Sequence, residues 1–70
     1  MGELLLESKL ISKALYDKEA QELGLTYKTN NQTWKYFNVT EEEIVNMLSA
    51  SSAGSYFLVH IKPNKKAVQI

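Results

Sequence analysis

The run Thr33-Trp34-Lys35-Tyr36-Phe37-Asn38-Val39-Thr40-Glu41-Glu42-Glu43 constrains this chain more than any other stretch. Large aromatic and β-branched side chains lead directly into a threonine followed by three glutamates. That pattern is a strand handing over to a capped helix. The Thr40 hydroxyl can accept an orphan backbone N–H, and Glu43 three positions later completes a capping box. Glu41, Glu42 and Glu43 fall in the first turn, where the helix dipole favours negative charge, so capping accounts for the acidic triplet without a metal or basic partner. Val39 and Ile44 occupy the positions of a hydrophobic staple. Ile44, Val45, Met47 and Leu48 form an apolar stripe that would lie on a sheet. The helix is expected from about Thr40 to Ala50.

Two strands are expected before the aromatic one, which spans Thr33 to Asn38. Leu23, Leu25 and Tyr27 alternate with Glu22, Gly24, Thr26 and Lys28, which reads as a strand with one solvated face. Leu10 to Tyr16 alternates imperfectly, with Ile11, Lys13 and Leu15 on one face and Leu10, Ala14 and Tyr16 on the other. Asp17 to Gln21 and Thr29 to Gln32 are short and polar, suited to hairpin connections, and paired asparagines tolerate left-handed backbone. The expected fold is α+β: a three-stranded antiparallel meander packed by one α-helix and a short C-terminal helical segment, in a single domain spanning residues 1–70. After the helix come small residues, with Gly54 free to take positive φ. Tyr56 to Ile61 suits either a short helix or a buried strand. Pro63 stops regular structure, and Lys65-Lys66 read as a polar tail. Leu4-Leu5-Leu6 could extend the first strand, lie as an arm, or contact another subunit.

Seventy residues bury only about 60% of their unfolded surface, so stability is marginal. Such chains gain stability from disulfides, metals or association. There is no cysteine, and His60 is the only histidine, which excludes thiol chemistry and a histidine-rich metal site within one chain. Association remains, and a homo-oligomer, most simply a two-fold dimer, is expected. Eight lysines balance eight acids, and arginine is absent, so counterion-driven or bidentate reading of duplex nucleic acid is not expected. No apolar run is long enough to cross a bilayer, and the Met1 to Leu10 stretch carries acids where a signal peptide needs positive charge. A cytoplasmic location without membrane contact is expected.

Tyr16-Asp17, Leu23-x-Leu25-x-Tyr27, Trp34-Lys35-Tyr36-Phe37-x-Val39, Leu48-x-Ala50-Ser51-Ser52-x-Gly54-x-Tyr56-Phe57 and Ile61-Lys62 together resemble the KTSC domain over about three-quarters of the chain. That family is named for a module at the C-terminus of some lysyl-tRNA synthetases, and it also occurs as short standalone proteins of bacteria and their phages. Its central Tyr-x-Tyr is represented by Trp34-Lys35-Tyr36. Two positions depart from the pattern: Thr40 stands for a proline, and Leu58 for an asparagine. The resemblance implies a small sheet with a packed helix and a second short helix between Gly54 and Ile61. RNA binding has been suggested for the family from its synthetase context, which is association and not mechanism.

Trp34 and Tyr36 share a strand face and are the leading site candidates. They are either half of a small core or a platform on which a base stacks, with Lys28 and Lys35 nearby to meet phosphate. In the core arrangement Lys35 and Phe37 turn to the other face, and an exposed Phe37 would mark a contact surface. His60 has no obvious acid or nucleophile beside it, no serine triad can be assembled, and no glycine-rich phosphate loop exists, so neither an enzyme nor a bound cofactor is expected. The expected function is a small binding module. It would be a protein-interaction module, one form of which is a phage-type inhibitor that docks on a host protein or blocks its ligand. The alternative is weak binding of single-stranded RNA or a nucleotide through Lys28, Trp34, Lys35, Tyr36 and Phe37.

Overall fold

The computed structural model describes residues 2–4 and 8–70. Among them five strands form one antiparallel sheet in sequence order: β1 (Gly2–Glu3), β2 (Ile11–Asp17), β3 (Glu22–Tyr27), β4 (Thr33–Tyr36) and β5 (Ala67–Gln69). The three expected strands are its centre, and the expectation of only three is corrected by a strand added at each edge. A two-residue β1 carries no periodicity, and β5 is a three-residue strand sitting just after Pro63 and the lysine pair. The residues Lys65-Lys66, read as a tail, lead into it. Leu4 donates its N–H to the Ala14 carbonyl and packs against the core, while Leu5 and Leu6 lie outside the described residues.

Helix α1 (Glu41–Ser49) starts as its sequence dictates. The Thr40 hydroxyl accepts the Glu43 N–H at 3.2 Å, and a Glu43 carboxylate oxygen accepts the Thr40 N–H at 3.0 Å. Ile44 and Met47 enter the core, but Val45 and Leu48 are 55% and 42% exposed, so only half of the expected stripe is covered. Helix α2 (Ala53–Tyr56) continues into a π-helical turn (Phe57–Ile61) and a 3-10 turn (Lys62–Asn64) that holds Pro63. Residues 56–61 are therefore helical, as the family resemblance implies. Phe57 and Ile61 are fully buried, leaving Leu58, Val59 and His60 outside. Phe57 meets the Tyr36 ring edge-on at 5.0 Å and the Tyr27 ring at 6.2 Å, the favoured geometry for aromatic pairs.

One sheet face carries this helical layer, and Ile11, Ala14, Tyr16, Leu23, Leu25 and Tyr36 from that face fill the core. Ile11 is thus on the face of Ala14 and Tyr16, not that of Lys13 and Leu15 as simple alternation suggests. A β-bulge is the reason: Ile11 pairs with Tyr27 and Lys13 with Thr26, leaving Ser12 as an extra residue. Positive φ occurs at Gln21, Asn31 and Asn38 and at no described glycine. Gly54 serves otherwise than expected. It lies inside α2, where a Cβ would stand 2.7 Å from the Ser8 hydroxyl, so its bare backbone lets the Ser8–Leu10 segment pack against the helix. The Tyr16 hydroxyl donates to the Val39 carbonyl at 2.6 Å, and Asp17 accepts the N–H groups of Glu19 and Ala20, fixing the first hairpin turn. Among the described residues no helix is long and apolar enough to cross a membrane.

Candidate ligand-binding groove

Strand β4 sends Trp34 and Tyr36 to the covered face, and the outcome differs for the two. Tyr36 is buried at 3% exposure, while Trp34 is half-buried, packed against the core on one side and open on the other. The open side borders a cleft of about 520 Å³ between the β3–β4 turn and the end of the helical layer. Tyr27, Trp34 and Tyr36 make its aromatic wall and Leu58 adds an apolar edge. Thr29, Asn30 and Gln32 supply polar groups from the turn, and Lys62 and Lys65 supply the cations.

The two lysines are not equivalent. Lys65 donates to the Asn38 carbonyl at 2.7 Å and to Glu43 at 2.8 Å, with its side chain only 15% exposed. It is a clasp between the approach to β5 and the start of α1, and its charge is spent on Glu43. Burial alone would raise the Glu43 carboxyl. The hydrogen bonds from Lys65 and from Thr40 outweigh that and hold it below the usual glutamate range. Lys62 has no ion-pair partner among the described residues; its ammonium lies 5.7 Å from the centre of the Tyr27 ring, a cation–π distance.

At the aromatic wall the Tyr27 and Tyr36 hydroxyls are hydrogen-bonded to each other at 2.5 Å. Two phenols carry two protons and this bond uses one, so the pair retains one O–H donor. Burial, followed by the bond to Tyr27, pushes the Tyr36 phenol far above its ordinary value. Tyr36 is therefore neutral at physiological pH and acts as a hydrogen-bonding group, not a base.

The other candidates separate. Lys35 is not beside the aromatic pair; it lies on the opposite sheet face, 3.3 Å from Glu22. Phe37 follows β4, is half-buried instead of exposed, and lines neither this cleft nor the one adjoining it. Lys28 is exposed and borders that adjoining cavity, of about 760 Å³, which shares Leu10 and Leu58 with the aromatic cleft. His60 is exposed, with its ring centre 4.5 Å from that of Tyr56. Sequence reasoning missed Tyr27, Lys62 and Lys65 as lining residues. Tyr27 has the periodicity of a core residue, and the lysines flank a proline in a stretch that reads as the end of structure.

A five-stranded antiparallel meander with helices on one face and an aromatic–lysine cleft at their junction defines a small α+β domain. The chain belongs to the KTSC domain family, whose model matches residues 7–64. The structure is similar to the crystal structure of the KTSC domain protein YPO2434 from Yersinia pestis, with a TM-score of 0.88 at 26% identity, over 99% of this chain and 96% of that one. No curated protein matches the sequence.

Proposed function

We propose that this chain is a non-enzymatic binding module whose cleft takes a ligand of nucleotide type, a planar ring joined to phosphate. The observation that carries this reading is the segregation of charge. The protein is neutral overall, yet none of the described residues lining the cleft or its neighbouring cavity is acidic, while four of them are lysines, three without an ion-pair partner among the described residues. Trp34 offers an open ring face, the tyrosine pair and the turn amides offer hydrogen bonds to a base edge, and Lys62 offers an uncompensated charge. The cleft volume suits a small molecule or one nucleotide. Base–aromatic stacking is worth about 1–3 kcal/mol, and an exposed lysine adds a salt-sensitive increment, so a mononucleotide should bind in the roughly millimolar range. Trp34 is the sole tryptophan and reports on this directly. Titration with uridine 5′-monophosphate should quench its fluorescence, with binding that weakens as salt rises and a weaker response in Lys62→Ser. No change up to about 10 mM nucleotide would reject the reading at the affinity expected for one stacked base.

A protein partner is the second reading, and a separate observation favours it. Val45, Leu48 and Val59 of the helical layer are 55%, 42% and 64% exposed, apolar groups that a docked protein or a second copy would cover. Within the apolar run that holds Val59, Phe57 and Ile61 are taken into the chain's own core. Sedimentation at micromolar concentration decides the homo-oligomer: a heavier species that reverts to 8 kDa in Val59→Glu supports it, and an 8 kDa species throughout opposes it.

A further inference from the structure

The cavity beside the aromatic cleft has a chemistry of its own. It is lined by Lys9, Lys28 and the serines at 8, 12, 51, 52 and 55. Proton accounting shows what these hydroxyls have left to give. The Ser8 hydroxyl oxygen accepts the N–H groups of Leu10 and Ile11, and the Ser52 oxygen accepts the Ser55 N–H, so both keep their own protons. Ser51 and Ser55 engage their hydroxyls with no described protein group, and only Ser12 spends its proton, on the Thr26 carbonyl. Lys9 and Lys28 have no ion-pair partner among the described residues. The result is a cavity rich in donors, with two ammonium groups and no described carboxylate. Such a surface matches a tetrahedral oxyanion, which accepts several hydrogen bonds at once and is stabilised by charge-assisted donors.

Leu10 and Leu58 line both this cavity and the aromatic cleft, so the two form one groove with an apolar saddle. We infer that the second cavity is a phosphate subsite and that the ligand is a phosphodiester-linked nucleotide chain of at least two units. One base lies against Trp34, the sugar crosses the leucine saddle, and the next phosphate meets Lys9, Lys28 and the serine hydroxyls. This rests on the nucleotide reading of the aromatic cleft and specifies the length and polarity of what enters it.

The test compares uridine 5′-monophosphate with the 5′-phosphorylated dinucleotide pUpU on the whole chain, by Trp34 fluorescence, in the wild type and in a Lys9→Ser/Lys28→Ser variant. Both lysines are exposed, so their removal leaves the core untouched. The dinucleotide should bind about tenfold more tightly than the mononucleotide. Its log K against log salt should be steeper by about 0.7, the share of the one extra phosphate on a single strand. The double variant should lose this gain while binding the mononucleotide unchanged. Equal affinity for the two probes, or a gain that persists in the variant, overturns the subsite and leaves the aromatic cleft standing. Failure of both probes to perturb Trp34 overturns the cleft reading and the subsite with it.

Discussion

Gly54→Ala should destabilise this protein even though it places alanine, the best helix former, inside a helix. Gly54 has no positive φ, so its backbone accepts alanine, and the exchange by itself is worth about 1 kcal/mol in favour of folding. The added Cβ, however, would sit 2.7 Å from the Ser8 hydroxyl, against an ordinary contact of 3.4 Å or more. The oxygen cannot retreat freely, because it holds the Leu10 and Ile11 N–H groups at 3.1 and 3.3 Å. Displacing it forfeits two hydrogen bonds of about 0.5–1.5 kcal/mol each. The balance is a net loss centred near 1 kcal/mol, which in a domain of this size lowers the melting temperature by about 4–8 °C. A double-mutant cycle isolates the cause. In a Ser8→Ala background the two bonds are already gone and the nearest remaining atom, the Leu10 Cβ at 3.5 Å, is at ordinary contact distance. There Gly54→Ala should stabilise by up to about 1 kcal/mol. Urea denaturation of the four proteins reads both effects. Gly54→Ala that stabilises the wild type, or that has the same effect in both backgrounds, refutes the reasoning.

The tyrosine pair gives a second cycle: Tyr36→Phe strands the Tyr27 hydroxyl and should cost about 1–3 kcal/mol, while Tyr27→Phe/Tyr36→Phe should cost less than the two single changes added together, as read by the same denaturation. Acid stability should depend on Glu43, whose folded pKa is lowered, so its contribution is complete above the unfolded value of about 4.3 and disappears as pH falls through the folded value. Glu43→Gln keeps a capping-box side chain but should flatten the melting temperature between about pH 5 and 3. At the other extreme, desolvation raises the phenols of Tyr16 and Tyr36, so their contribution holds below pH of about 10 and is lost as pH climbs through their folded values. Alkaline melting curves of Tyr36→Phe should accordingly fall less steeply than those of the wild type.

Much of the fold was legible because local chemistry and tertiary packing agree. Leu23, Leu25 and Tyr27 alternate cleanly since β3 has one covered face and one solvated face. Thr40 and Glu43 make a cap that needs no distant partner. The edge strands were not legible: β1 has two residues and β5 three, too few for a period of two to show. Simple alternation put Ile11 on the wrong face because a bulge breaks the alternation that assigns it. For the groove, the aromatic face was readable from Trp34 and Tyr36, and Trp34 proved to serve core and cleft together. Lys35 turns to the other face, as the strand period requires once Trp34 and Tyr36 pack on the core, and so does not join the groove. Lys9 and Lys62 join the groove only through folding, one from before β2 and one from the end of the helical layer, so no spacing in the chain could reveal them.

The bulge at Ser12 also decides how β2 can change length. A strand has parity, odd residues to one side and even to the other, and loss of one residue normally exchanges every side chain beyond it. Here the extra residue has already broken that parity. Removing Ser12 would place Ile11, Ala14 and Tyr16 in unbroken alternation, all still facing the core, with Lys13 and Leu15 outside. Removing Leu15 would instead make Ala14 and Tyr16 neighbours, and one of the two would be forced out. Strand β2 therefore has one joint at which a residue can be dropped without turning the sheet inside out, and that joint adjoins Ile11 where the groove begins.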